Sequence, residues 1–243
     1  MEGKVILITG ASRGIGRAIA KELANENDIV IANYNKSEEC AETLKKELQK
    51  EDKNIEIYKA DVSKRKEVKA MVEYIINKYG KIDVLINNAG ISFVKMFTEM
   101  SDEDWSYVIN NNLYSVFCVS QEVSKNMIYN KNGIIINISS IFGLIGASCE
   151  SVYAVSKAGI DALTKSLAKE FSFSNIRVNS IAPGLINTEM NNDLSADDIK
   201  NIENEIALGR MGKPEEIAKT VRMLIESSYI TGQVIEVNGG WHI

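Results

Sequence analysis

Val5-Ile6-Leu7-Ile8-Thr9-Gly10-Ala11-Ser12-Arg13-Gly14-Ile15-Gly16 is the stretch on which the fold turns. Its first four residues are apolar without interruption, the pattern of a strand buried on both faces. Behind the glycines, Ile15, Ala18, Ile19 and Leu23 recur at helical spacing. A strand that enters a helix through a glycine turn can bring its backbone close to a pyrophosphate, and the helix N-terminus then supplies N–H donors and partial positive charge. A turn that merely needs glycine is the plainer reading. The position after a first strand and before a helix favours the phosphate loop.

Outward from this unit the alternation repeats. Ile29–Ala32, Ile55–Tyr58, Val84–Ile86, Ile134–Ile138, Val178–Ile181 and Val234–Val237 read as further short strands rich in Ile and Val. Val68, Met71, Val72, Ile75 and Ile76 form a helical stripe. A second stripe spans Trp105–Met127, opened by the capping signal Ser101-Asp102-Glu103-Asp104. Ser37 with Glu38 and Glu39 opens another helix, Val155–Phe171 is helical, and Pro214 begins a helix running to Ile225. Strand–helix alternation throughout predicts an α/β fold: a single-domain doubly wound parallel sheet of about seven strands, with helices on both faces. One domain is expected over residues 1–243. The irregular stretch from Gly184, rich in Asn and Thr, suggests a lid near 184–208.

Composition narrows the chemistry. The 243 residues are 45% hydrophobic and 25% charged, with net charge −5. That balance gives no electrostatic footprint for nucleic acid or an anionic membrane. The one histidine, His242, excludes a zinc site built from several histidines and leaves no convenient base for a Ser-His-Asp or Cys-His triad. Proton transfer in such a chain falls to carboxylate, Tyr, Lys or Cys. Cys40, Cys118 and Cys149 are odd in number and widely spaced, as free thiols are in a reducing compartment. The apolar run Val5–Ile8 is too short for a secretory signal, so a cytoplasmic location is expected.

The glycine spacing is G-x-x-x-G-x-G, and with Thr9 before it the loop resembles the fingerprint of the short-chain dehydrogenase/reductase family. Further marks of that family stand in order: Asp61-Val62, Asn87-Asn88-Ala89-Gly90, Ser140, Tyr153-x-x-x-Lys157 and Pro183-Gly184, with the likeness running to Asn238-Gly239-Gly240. The resemblance implies a nicotinamide dinucleotide whose phosphates lie on Gly10, Ser12, Arg13, Gly14, Ile15 and Gly16. It places Asp61 and Val62 at the adenine, and Asn88, Ala89 and Gly90 along the adenosine ribose. Pro183, Gly184, Ile186 and Thr188 then clamp the nicotinamide amide, although Thr188 also reads as a helix N-cap. Enzymes that take NAD usually carry an acidic residue at the end of the second strand. Here Asn33 stands there, followed by Tyr34, Asn35 and Lys36, and no carboxylate comes before Glu38. Arg13 and Lys36 offer positive charge to a 2′-phosphate, so NADP(H) is the cofactor expected.

Tyr-x-x-x-Lys alone is a weak signal. With nine tyrosines in a lysine-rich chain about one such pair arises by chance, and Tyr74…Lys78 is a second instance, read as a surface pair. Tyr153…Lys157 is distinguished by its place, thirteen residues beyond Ser140 in a helix after the fifth strand. An ammonium one turn away favours the phenolate and should lower the phenol pKa. Tyr153 then serves as general acid for ketone reduction, Ser140 orients the carbonyl, and Lys157 also holds the nicotinamide ribose. Ser139 competes with Ser140. The family's fourth catalytic member is an asparagine directly before leucine. That selects Asn112 from Asn110-Asn111-Asn112, with Asn111 as the alternative, to hold a water that relays protons to Lys157.

The C-terminal third, with Arg210-Met211-Gly212-Lys213-Pro214 and Tyr229-Ile230-Thr231-Gly232, is similar to the β-ketoacyl carrier-protein reductases of fatty-acid synthesis. This implies a 3-oxoacyl thioester substrate, acyl carrier protein as partner and a homotetramer. Lys131 stands at one of the two expected docking positions, but Ser174 and Asn175 stand at the other. The run Gly146-Ala147-Ser148-Cys149-Glu150 is similar instead to the subgroup that reduces the 5-aminopentanone modification on elongation factor P, where Glu150 would face an amine. A non-catalytic dinucleotide sensor on the same fold is the reading from a different class.

Overall fold

The computed structural model describes residues 3–192 and 194–243. Seven strands form one parallel sheet: β1 (Val5–Ile8), β2 (Ile29–Tyr34), β3 (Ile55–Lys59), β4 (Val84–Asn87), β5 (Gly133–Ile138), β6 (Ile176–Pro183) and β7 (Val234–Val237). Their spatial order is β3-β2-β1-β4-β5-β6-β7. The order reverses beside β1, where β1 pairs with both β2 and β4. A crevice at such a switch point, outside the C-terminal ends of the strands, is where open α/β sheets bind ligands.

The crossovers are α1 (Gly14–Leu23), α2 (Glu38–Gln49), α3 (Arg65–Tyr79), α4 (Asp102–Ile109), α5 (Ser115–Asn130), α6 (Phe142–Ile145), α7 (Ser151–Glu170), α8 (Ala196–Glu205) and α9 (Pro214–Glu226). Alternate residues of each strand feed opposite faces. Ile6 and Ile8 of β1 join Ile136 of β5 under α1, α2 and α9. Val5 and Leu7 join Ile135 and Val178 under α3 and α5.

The expected strands are all present, and four run on further at their C-terminal ends, β6 as far as Pro183. The helical stripe expected over Trp105–Met127 is broken. A π turn at Asn110–Tyr114 separates α4 from α5, and Ser115 N–H reaches back to the Asn110 carbonyl. The capping box on Ser101 forms, with Ser101 accepting from Asp104 N–H. Ser37 precedes α2 without a side-chain cap bond. The expected lid contains a 3-10 turn, Glu189–Asn191, and then α8, which has no buried residue. Asp193 within it lies outside the described residues, as do Met1 and Glu2. No helix among the described residues is long and apolar enough to cross a membrane.

Candidate active site

The phosphate loop leaves β1 with Gly10 at φ +63°, and a Cβ there would stand 2.9 Å from Ala89 Cα. A Cβ on Gly16 would collide with the Gly10 carbonyl. The loop is therefore pressed against the end of β4, and a side chain would fill the cradle that a dinucleotide pyrophosphate fits. Two asparagines hold it there. Asn88 Nδ2 donates to the carbonyls of Thr9 and Gly10, each at 3.0 Å. Asn33 Oδ1 accepts from Gly10 N–H at 3.3 Å, and its Nδ2 donates to the Ala60 carbonyl at 3.0 Å. This corrects the expectation for Asn33. Its side chain is buried and satisfied by main chain, so it shapes the cofactor loop without facing the ribose. Asn88 likewise has its donors committed to the loop.

Arg13, Asn35 and Lys36 are exposed beside that loop. Asp61 closes a local turn, its Oδ1 accepting from Ser63 N–H at 3.0 Å and Ser63 Oγ at 2.6 Å. Burial pushes the Asp61 carboxyl up, but the Ser63 bonds and the Lys64 ammonium outweigh it and hold the group below its ordinary range. Val62 beside it is buried. On the opposite side, Thr188 stands at the N-cap of the 3-10 turn Glu189–Asn191, but its side chain makes no capping bond. Its methyl group lies 3.5 Å from where a Cβ of Gly14 would stand, over the loop. Gly184 N–H donates to the Val237 carbonyl at 3.0 Å, and the Pro183 carbonyl accepts from Ile141 N–H at 3.1 Å. The Ile186 carbonyl accepts from Asn191 Nδ2 at 2.6 Å, which ties this segment to the lid.

Helix α7 carries the reacting groups into the same crevice. Lys157 is buried, and its Nζ donates to the Ile138 carbonyl at the end of β5 at 2.9 Å. Two of its three N–H donors remain for other partners. The same Nζ lies 5.5 Å from the centre of the Tyr153 ring. A Cβ on Gly90 would be 3.6 Å from it, so the strand end that carries Ala89 and Gly90 borders the ammonium. Gly143 lets α6 close on α7, since a Cβ there would be 2.8 Å from the main chain of Lys157 and Ala158. That contact brings the Ser140 turn towards Tyr153, close enough for the Ser140 hydroxyl to favour the phenolate. Ser139 points the other way, its Oγ donating to Asp161 at 3.0 Å. The competition between the two serines is thus resolved by direction: Ser140 faces the crevice and Ser139 the core.

Burial dominates the electrostatics. It pushes the Tyr153 phenol up to about 12; the Ser140 hydroxyl opposes this and the Glu150 carboxylate adds to it. It pulls the Lys157 ammonium down to about 8, against the Asp161 carboxylate. The expectation that Lys157 lowers the phenol pKa is therefore corrected for the protein by itself. The ammonium sits over the ring face, and desolvation of the phenolate dominates the shift. The resting pair is a neutral phenol beside a cation, the protonation state of a proton donor.

Asn112 is fully buried in the π turn. Its Oδ1 accepts from Ile91 N–H at 2.8 Å, and its Nδ2 donates to the Ile91 carbonyl at 3.0 Å and to Ser156 Oγ at 3.2 Å. These bonds commit both Nδ2 hydrogens of the side chain. It pins the segment after Gly90 against α7. Asn111 turns back to the Tyr107 carbonyl instead. His242 pairs with Glu236 at 2.9 Å in the C-terminal segment.

Sequence reasoning did not find the polar row behind the site. Asn87, Asn137 and Ser180 share one register across β4, β5 and β6. Asn87 Nδ2 donates to Asn137 Oδ1 at 2.8 Å and to Ser120 Oγ at 2.9 Å, and Asn137 Nδ2 donates to Thr164 Oγ1 at 2.8 Å. The available signal was a single Asn in each of the otherwise apolar β4 and β5.

Comparison with known proteins agrees with this geometry. The family model described as short chain dehydrogenase matches residues 4–199. A 3-oxoacyl-acyl-carrier-protein reductase of Thermotoga maritima is 46% identical over 242 residues, 99% of this chain and 98% of that protein. Proteins of the same name from Staphylococcus epidermidis and Staphylococcus aureus are 41% and 40% identical, with 98% or more of each chain covered. With the family pattern spanning most of the sequence and relatives alike from end to end, the chain belongs to the short-chain dehydrogenase family.

Proposed function

We propose that the chain reduces the 3-keto group of an acyl thioester carried on acyl carrier protein, using NADPH and the set Ser140, Tyr153 and Lys157. The observation that carries the reading is the neutral, half-buried Tyr153 phenol beside Ser140 and the Lys157 ammonium. The names of the relatives supply the substrate class. When bound, the cofactor supplies hydride to the carbonyl carbon. Tyr153 donates its proton to the carbonyl oxygen, Ser140 holds that oxygen in place, and the free donors of Lys157 hold the cofactor's ribose and stabilise the phenolate that remains.

NADPH is favoured by charge. Arg13 and Lys36 have no carboxylate partner among the described residues, and the end of β2 carries no acid to repel a 2′-phosphate. Exposed apolar side chains that flank the start of α7, Val94 and Met96 on the loop after β4 and Leu144 and Ile145 on α6, suit an acyl chain. Lys131, exposed before β5, offers charge to an acidic carrier. Exposed Tyr107, Phe117 and Val155 on α4, α5 and α7 suit the tetramer, and the cytoplasm is the location proposed with it. The reading of Glu150 as an amine-binding group for modified elongation factor P is not favoured by these relatives, nor is a non-catalytic sensor.

The test is oxidation of NADPH with an acetoacetyl group on acyl carrier protein, compared with a short free thioester and with NADH. Turnover with NADPH that is faster on the carrier-bound substrate is expected. Equal use of NADH would remove the argument from Arg13 and Lys36, and indifference to the carrier would remove the carrier.

A further inference from the structure

Ser140 does not hold its own position. Its N–H donates to Ser139 Oγ at 2.6 Å, and Ser139 Oγ donates in turn to Asp161 Oδ2 at 3.0 Å. The other carboxyl oxygen, Asp161 Oδ1, accepts from Ser180 Oγ at 2.7 Å. Ser139 Oγ has one hydrogen, and the Asp161 carboxylate at 3.0 Å is a nearer and stronger acceptor for it than the Ser140 carbonyl at 3.4 Å. Both carboxyl oxygens act as acceptors, as in an ionised group. Asp161 is 4% exposed. It follows Lys157 by one helical turn, about 6 Å between Cβ atoms. A carboxylate on the inner face of α7 is costly to desolvate, and an apolar residue would fill that place without the cost.

We propose that Asp161 is a positioning residue for the reduction: through Ser139 it fixes the turn that presents Ser140, and its negative charge keeps Lys157 an ammonium. The proposal rests on the reading of Ser140, Tyr153 and Lys157 as the reacting set. Among the described residues, Asp161 is the acid that acts on Lys157. Tyr153 and Asp161 face it from α7, the Ile138 carbonyl from β5, and Gly90 from the end of β4 with Asn112 beside it; only Asp161 among them is anionic. Glu150 acts on Tyr153, and Lys165 acts on Asp161 from the same helix. The arrangement joins both arms of the site to one carboxylate. The β5 arm reaches it through Ser139, and the β6 arm through Ser180.

Asp161→Asn keeps the shape and removes the charge. The expected result is a fall in kcat of about tenfold or more, unchanged NADPH affinity, and an alkaline limb of the reduction rate that begins about one pH unit lower. Ser139→Ala leaves the charge and cuts the link, so kcat should fall while the limb stays. An unchanged kcat in Asp161→Asn, or a fall with the limb in place, would overturn the proposal and leave Asp161 a structural residue. Should Asp161→Asn fail to fold, Ser139→Ala decides: lower kcat at wild-type Tm supports the link, and wild-type kcat overturns it. Tyr153→Phe separates the two levels. If that variant still turns over, the reacting set itself is wrong; if it is inactive while Asp161→Asn behaves as wild type, only the role of Asp161 fails.

Discussion

Tyr153…Lys157 on α7 and Tyr74…Lys78 on α3 share a sequence pattern, a helical spacing and nearly a geometry. The lysine Nζ lies 5.5 Å from the tyrosine ring centre in the first pair and 5.4 Å in the second. Their surroundings differ. Lys78 reaches outward to Glu56 at 2.8 Å, and that contact pushes its ammonium well above the ordinary lysine range. Lys157 reaches inward to a main-chain carbonyl, and burial pulls it down to about 8. Opposite displacements from one motif show that the reactive character belongs to the end of the sheet and not to the four-residue spacing. The crevice desolvates one pair, while a neighbouring carboxylate neutralises the other.

The largest test of that contrast is loss of each hydroxyl. Tyr153→Phe should lower kcat by about 10²–10⁴ and leave NADPH binding near wild type, measured by NADPH oxidation and by cofactor titration. Tyr74→Phe should leave kcat unchanged. Comparable losses in the two variants would end the distinction.

The pH dependence sharpens it further. Tyr153 stays protonated to about 12, so the alkaline loss of reduction belongs to Lys157, with an apparent midpoint near 8. Lys157→Met should remove that limb together with most activity, and Lys78→Met should leave it in place. Stability has opposite signs at the two sites. Lys157 in the fold binds its proton less tightly than an unfolded lysine at about 10.4. Its contribution therefore makes the protein more stable as pH rises from about 8 toward 10. Lys78 binds its proton more tightly when folded, so its contribution is complete below about 10.4 and is lost as pH rises through the folded value. Melting curves of the two Lys→Met variants against pH check both signs.

How much of this the sequence shows depends on range. β1 and β7 are readable to the residue because short runs dominated by Ile and Val are bounded by turn residues. The phosphate loop is readable because its glycines serve a turn, and the Tyr153 pair is separated from Tyr74 by its place after β5. The π turn at Asn110–Tyr114 is not readable, since one extra residue in a helix leaves the apolar stripe on either side intact. The directions of amides are hidden for a related reason. Asn33, Asn88 and Asn112 stand where a cofactor or water contact was expected, and main-chain groups brought close by the fold take up their amide donors. Asp161 was hidden because its partners Ser139 and Ser180 are 22 and 19 residues away and meet it only through the pairing of β5 with β6.

The smallest effect is the one on which the outer pair depends. Glu56 accepts from Tyr74, Tyr79 and Lys78, with Lys78 Nζ also 3.0 Å from Tyr74 Oη. This cluster joins the outer edge strand β3 to the end of α3, away from the crevice. Its worth is structural, and it is modest because the ammonium stands in water while the tyrosines are half-buried. Tyr74→Phe removes one of three donors to a carboxylate that keeps the other two. The expected cost is about 1 kcal/mol of unfolding free energy, read from the urea midpoint at constant m-value, with kcat and its pH profile unmoved. A loss of activity larger than the loss of stability would mean that the sheet edge communicates with the crevice, and the contrast between the two pairs would then be one of degree.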